Sequence, residues 1–76
     1  MKTMIEVPHF GEVGLELIHD NQVVKLSYKG ELFASVQRNV EFATHVYYVS
    51  RTELGRNYEN LTDADLLVLA FRAWED

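Results

Sequence analysis

Three apolar–polar alternations separated by very short breaks restrict this chain more than any other feature. Residues 12–18 read EVGLELI, with Val13, Leu15 and Leu17 on one side and Glu12, Gly14 and Glu16 on the other. Residues 23–28, VVKLSY, set Val24, Leu26 and Tyr28 against Lys25 and Ser27. Residues 31–36, ELFASV, align Leu32, Ala34 and Val36. A period of two is the side-chain period of a strand with one face in water. Only Lys29 and Gly30 separate the second stretch from the third. So short a connection joins antiparallel strands, and Gly30 supplies the positive φ that such a turn needs. Residues 19–22, HDNQ, join the first two stretches, and Asp20-Asn21 suits a tight turn. Together these segments predict a three-strand antiparallel meander.

Residues 40–51, VEFATHVYYVSR, follow a polar break at Gln37-Arg38-Asn39. Their valines, threonine and aromatics favour a fourth strand, with Phe42, Thr44, Val46 and Tyr48 on one face and Ala43, His45, Tyr47 and Val49 on the other. A helix is the alternative, since Asn39 could cap it and Phe42, Val46 and Val49 recur at helical spacing. Residues 4–7 make a short edge strand, and residues 52–61 a polar connection.

The last sixteen residues, LTDADLLVLAFRAWED, have the marks of a helix start. Thr62 is an N-cap, Asp63 and Asp65 sit in the first turn where the helix dipole favours anions, and Leu61 and Leu66 occupy the positions of a hydrophobic staple. At about 100° per residue, Leu66, Leu69, Ala70 and Ala73 fall on one side, and Leu67, Phe71 and Trp74 extend the arc. The apolar arc spans on the order of 200°, where a helix lying on a sheet needs about 100°. Either a twisted sheet wraps the helix, or Leu67, Phe71 and Trp74 centre an interface with another chain. The expected fold is a single α+β domain over residues 1–76: an antiparallel meander of about four strands with the C-terminal helix packed on one face.

Seventy-six residues bury only about 60% of their unfolded surface, which leaves little apolar material for a deep cleft and favours a binding or subunit role over an enzyme. The chain has no cysteine, so it has no disulfide framework and no Cys-based zinc site. His9, His19 and His45 show no metal-ligand spacing, and the four scattered glycines form no phosphate loop. No cofactor, metal or catalytic residue is expected. No stretch approaches the roughly 18 apolar residues of a membrane span, and the N-terminal residues contain no apolar run long enough for a secretory signal. A cytoplasmic location without membrane contact is the expectation.

The net charge is −5, and residues 53–76, with six acids and two bases, carry −4 of it. Such a balance disfavours direct nucleic-acid binding and steers toward basic protein surfaces. Adjacent tyrosines in a strand point to opposite faces, so one joins the core and the other stays in the open. Tyr47, beside His45 and Val49, is the candidate contact, and the N-terminal segment is what could cover it. With Glu59, Asp63, Asp65, Leu67, Phe71 and Trp74, these residues make up the candidate interaction surface. The reading is a small acidic, non-enzymatic module that binds another protein stoichiometrically, one specific version being an inhibitor that occludes the basic surface of a nucleic-acid-binding protein. In size and charge the chain resembles the small proteins that phages use against host defence, such as anti-CRISPR proteins. Its acids are sparser than those of a DNA mimic, so direct occlusion fits better than mimicry. The alternatives are a homodimeric accessory subunit and a small-ligand-binding domain.

Overall fold

A computed structural model describes residues 2–20, 22–41 and 44–75. Among them are five strands and two helices in the order β1 (Lys2–Val7), β2 (Gly11–Ile18), β3 (Val23–Tyr28), β4 (Glu31–Glu41), β5 (Thr44–Arg51), α1 (Glu53–Arg56) and α2 (Asp63–Glu75). The strands form one antiparallel sheet in sequence order, and α2 lies against β2, β3, β4 and β5 on one side of it. This is the expected α+β arrangement, with five strands rather than about four.

The fifth strand is β1, which contains the short edge strand expected over residues 4–7. Residues 2–7 pair along β2 from Lys2↔Glu16 to Val7↔Gly11, so the N-terminal segment widens the sheet instead of covering its open face. The second change is at β4. Gln37, Arg38 and Asn39 do not break the chain; they continue β4 to Glu41, and residues 44–51 return as β5. A strand with one open face accommodates such a triad. Gln37 and Asn39 are exposed, while Arg38, between them, turns to the helix side and lays its guanidinium over Trp74 at 5.0 Å from the ring centroid. The expectation of a single strand over 40–51 is thus corrected. Phe42 and Ala43, whose faces were also expected, lie outside the described residues.

The core follows the alternation closely. Val13, Leu15, Leu17, Val24, Leu26, Ala34 and Val36 are buried beneath Leu66, Leu69, Ala70 and Ala73 of α2, the side-chain set that the helical spacing picks out. One position departs. The β3–β4 register runs Val24↔Val36 and Leu26↔Ala34, then jumps to Ser27↔Leu32. Phe33 is the extra residue of a β-bulge, which lets two successive residues, Phe33 and Ala34, both be fully buried. Leu32, expected in the core, is expelled to the far side of the sheet at 42% exposure.

The bulge also anchors the connection to α2. Strand β5 ends at the Ala34↔Arg51 pair, so the Leu32 and Phe33 carbonyls have no strand to accept from. Thr52 takes both: its hydroxyl donates to the Leu32 carbonyl at 3.1 Å and its N–H to the Phe33 carbonyl at 3.1 Å. Thr52 caps α1 as well, accepting from the Gly55 N–H at 3.3 Å. The stretch read as a plain polar connection therefore contains a seated helical turn. Arg51 then holds the rest of the link, donating to Asp63 (3.2 Å) and to the Gly55 (3.3 Å) and Leu61 carbonyls. At the start of α2 the capping is reciprocal. The Asp65 N–H donates to the Thr62 hydroxyl at 3.2 Å and the Thr62 N–H to the Asp65 carboxylate at 3.1 Å, a capping box with Asp in the third position.

Candidate functional site

Because α2 covers one side of the sheet only, the other side is surface. Strand parity and register decide what it shows. Across the strands the rows read Met4–Gly14–Ser27–Leu32, then Lys2–Glu16–Lys25–Ser35–Ser50, then Ile18–Val23–Gln37–Tyr48. The second row alternates cation, anion, cation across three neighbouring strands, an arrangement that stabilises a sheet surface by a few tenths of a kcal/mol per pair, on the order of 0.2–1. The first row is the unusual one. Met4 (59% exposed) and Leu32 (42%) stand at its ends, and between them the strand residues are a glycine and a serine.

That sequence of large, small, small, large produces a furrow of about 510 Å³ on the open side. Its walls are the Met4 and Leu32 side chains, its floor is Gly14 and Ser27, and Lys2, Glu16 and Lys25 line its charged side. A side chain at position 14 would fill it: a Cβ built on Gly14 comes within 2.5 Å of the Ser27 hydroxyl oxygen and 3.5 Å of the Met4 sulfur. A glycine inside a strand weakens pairing and marks a place where something approaches the backbone. Methionine on the wall suits an adaptable apolar contact, since its unbranched chain repacks at little cost.

Next to the furrow, one row along β1 and β2, Glu6 stands directly opposite Glu12, and both are exposed. Like charges directly opposite each other destabilise a strand pair. Among the described residues neither carboxylate has an ion-pair partner, the one described salt bridge being Arg51–Asp63. The pair makes a local acidic point at one end of an apolar furrow.

The residues singled out from the sequence are distributed elsewhere. Tyr47 is on the helix side of the sheet, half-buried, opposite Arg38. There it meets Phe71 edge-on at 4.9 Å and Trp74 at 5.4 Å, while Phe71 and Trp74 are 5.8 Å apart. The tyrosine left in the open is Tyr48, at 57% exposure. The placing of Tyr47, His45 and Val49 on the open face is therefore corrected. The β4–β5 register puts all three on the helix side, with His45 exposed and Val49 packed against the core.

The surplus arc of α2 is accounted for in large part by the same cluster. Leu67 and Trp74 pack against the core, and Trp74 also against Tyr47, so the far end of β5 takes up part of what one flat sheet would leave bare. Phe71 stays 40% exposed, and Val68, at 52%, faces the shallow groove between α2 and the Val7–Pro8 end of β1. Asp63 and Asp65 both serve α2 itself, through Arg51 and through the capping box. Glu59 is exposed in the turn before α2 and has no such duty.

A second aromatic group closes the opposite end of the fold. Phe10 packs on Tyr28 at 4.8 Å and on Tyr58 at 5.1 Å, and the Phe33 ring lies 5.9 Å from Tyr58. Among the described residues no three or more His, Asp or Glu side chains gather where they could hold a metal ion, and no helix is long and apolar enough to cross a membrane. No family model, no curated protein and no solved structure matches this chain.

Proposed function

We propose that the chain is a non-enzymatic interaction module that acts by stoichiometric binding. It docks the uncovered side of its sheet on a target protein, with an apolar side chain of the target seated between Met4 and Leu32. The furrow carries this reading: a depression floored by Gly14 and Ser27 and walled by two exposed apolar side chains, on a sheet face that no described element covers. Exposed apolar groups rimmed by polar ones are the usual composition of a contact surface.

The charge supports a basic target. The chain carries −5 overall, and the opposed Glu6 and Glu12 gain stability when a cation comes between them. A target surface that is basic because it binds nucleic acid would be blocked by this contact. A phage-type inhibitor of the anti-CRISPR kind is one form of such a protein.

The test is capture of binding proteins on the immobilised chain and on a Glu6→Lys, Glu12→Lys variant. Both positions are exposed, so the variant keeps the fold and its thermal melt. The expected result is a bound protein that nucleic acid displaces, and that the variant holds at least tenfold more weakly. Retention that is indifferent both to added nucleic acid and to the two lysines would overturn the basic-target reading.

A further inference from the structure

Both margins of the sheet are edge strands, and they are built differently. β1 carries Lys2 and Glu6 and is followed by Pro8. Charges and a proline are the ordinary devices that keep an edge from recruiting another strand. Over residues 44–50 β5 has none of them. Residues 44–50, THVYYVS, include no Asp, Glu, Lys, Arg or Pro. The strand pairs with β4 from Ala34↔Arg51 to Glu41↔Thr44 without a register shift, so no bulge twists it away. No described strand lies on its other side. Eight residues extend about 26 Å of ladder at about 3.3 Å each.

We infer that β5 is a self-pairing edge: it joins antiparallel to β5 of a second copy of this chain and makes one continuous sheet across a two-fold axis. Self-complementarity of the edge selects the second copy as the occupant, and charge does not oppose that contact at β5. Two copies of a chain at −5 repel wherever acidic surfaces meet, and β5 is the sheet margin with no formal charge over seven consecutive positions. Symmetry then restricts the register. A two-fold axis between antiparallel strands stands perpendicular to the sheet, so both α2 helices fall on the same side and each residue faces one of its own parity.

With Tyr47 on the axis the pairs match. On the open side Val46 faces Tyr48 of the second copy and Thr44 faces Ser50. On the helix side Tyr47 faces its own counterpart and His45 faces Val49. Aromatic and β-branched residues opposite each other are favourable cross-strand pairs. The same register brings the two Tyr47–Phe71–Trp74 clusters together beside the axis, where the remaining exposure of Phe71 can be covered. Placing Tyr48 on the axis sets His45 opposite Arg51, whose guanidinium is already engaged with Asp63 and two carbonyls. The furrow is not used: Leu32 lies beyond the Ala34↔Arg51 pair, where β5 ends. The inference therefore stands or falls separately from the proposed docking surface.

Absolute mass by light scattering on a sizing column, over a dilution series, tests it. The wild-type chain is expected at twice its 8.8 kDa and to dissociate on dilution. Val46→Lys with Tyr48→Lys places like charges opposite each other twice across the axis. The expected result is an 8.8 kDa species with an unchanged circular dichroism spectrum. Val46→Glu with Tyr48→Glu behaves in the same way alone, and a one-to-one mixture of the two charge variants recovers the double mass. A wild type of 8.8 kDa at every concentration overturns the inference. So does a mixture that stays monomeric, and so does a dimer that survives the lysines but is lost in Phe71→Glu.

Discussion

Gly55→Ala is expected to lower stability by about 3 kcal/mol or more, at the upper end of what overpacking costs. Gly55 is buried in α1, and a Cβ there would overlap the Phe33 carbonyl oxygen, with the carbonyl carbon only 3.1 Å away. The obstacle is backbone of a central strand at its bulge, which cannot move aside as a side-chain tip does. Nor is that carbonyl free to turn, because it accepts the Thr52 N–H at 3.1 Å. Relief requires unseating α1, which also releases the Arg51 bonds that hold the approach to α2. For a domain of this size about 3 kcal/mol corresponds to a fall in Tm of roughly 12–24 °C. Thermal unfolding followed by circular dichroism measures it. Gly30→Ala is the control: its φ is +80° but nothing lies within 4 Å, so it bears only the left-handed strain, about 1–2 kcal/mol. Equal losses for the two variants would mean that α1 is not seated on β4.

The second large effect tests the bulge. Phe33→Ala is expected to cost about 3–5 kcal/mol, and Leu32→Ala less than about 1 kcal/mol. Phe33 is fully buried and its ring lies 6.0 and 5.9 Å from those of Phe10 and Tyr58, so its loss opens a cavity in the core. Leu32 stands on the open side with little to lose. Plain alternation through residues 31–36 predicts the opposite order. Denaturant unfolding of the two variants decides between them, and a larger loss for Leu32→Ala would place β4 in the unbulged register.

These two positions also show how far the sequence can be read. The helix face and the first two meander strands were legible because each depends on one periodicity, and burial follows it residue by residue. The Lys29-Gly30 hairpin was legible because two residues leave no other route; in the structure both adopt positive φ, +51° and +80°. The bulge was not legible. An extra residue in a ladder is a relation between two strands, and its only local trace is the run Leu32-Phe33-Ala34, too apolar for strict alternation. The face of Tyr47 and Tyr48 was hidden for the same reason. Parity says that they point opposite ways, but which one meets the helix depends on the register with β4. The polar triad at 37–39 resembles a break by polarity alone, although polar residues at alternate positions are what an open sheet face requires.

The candidate site leaves one signal in the sequence. Gly14 sits in the middle of a strong alternation, where most side chains would strengthen the strand. Gly14 lies across from Ser27 on β3 and Met4 on β1, which registers of antiparallel pairing bring together only in the folded sheet. The apolar arc of the helix is surplus in the sequence. Much of that surplus is taken up inside the chain by Tyr47, Leu67 and Trp74.

If binding belongs to the open sheet face and its furrow, substitutions there and on the helix side differ in effect. The most direct measurement is the affinity for the captured target of four variants, two on each side of the molecule. Met4→Ala and Leu32→Ala remove the furrow walls, and Val68→Ala and Glu59→Ala change exposed positions on or beside α2. All four residues are exposed, so folding is retained. Each wall variant is expected to weaken binding by at least tenfold while the other two stay within about twofold of the wild type, since contact energy concentrates in a few central apolar groups. Loss of affinity in Val68→Ala or Glu59→Ala, with Met4→Ala and Leu32→Ala unaffected, would contradict this expectation and move the site to the helix side.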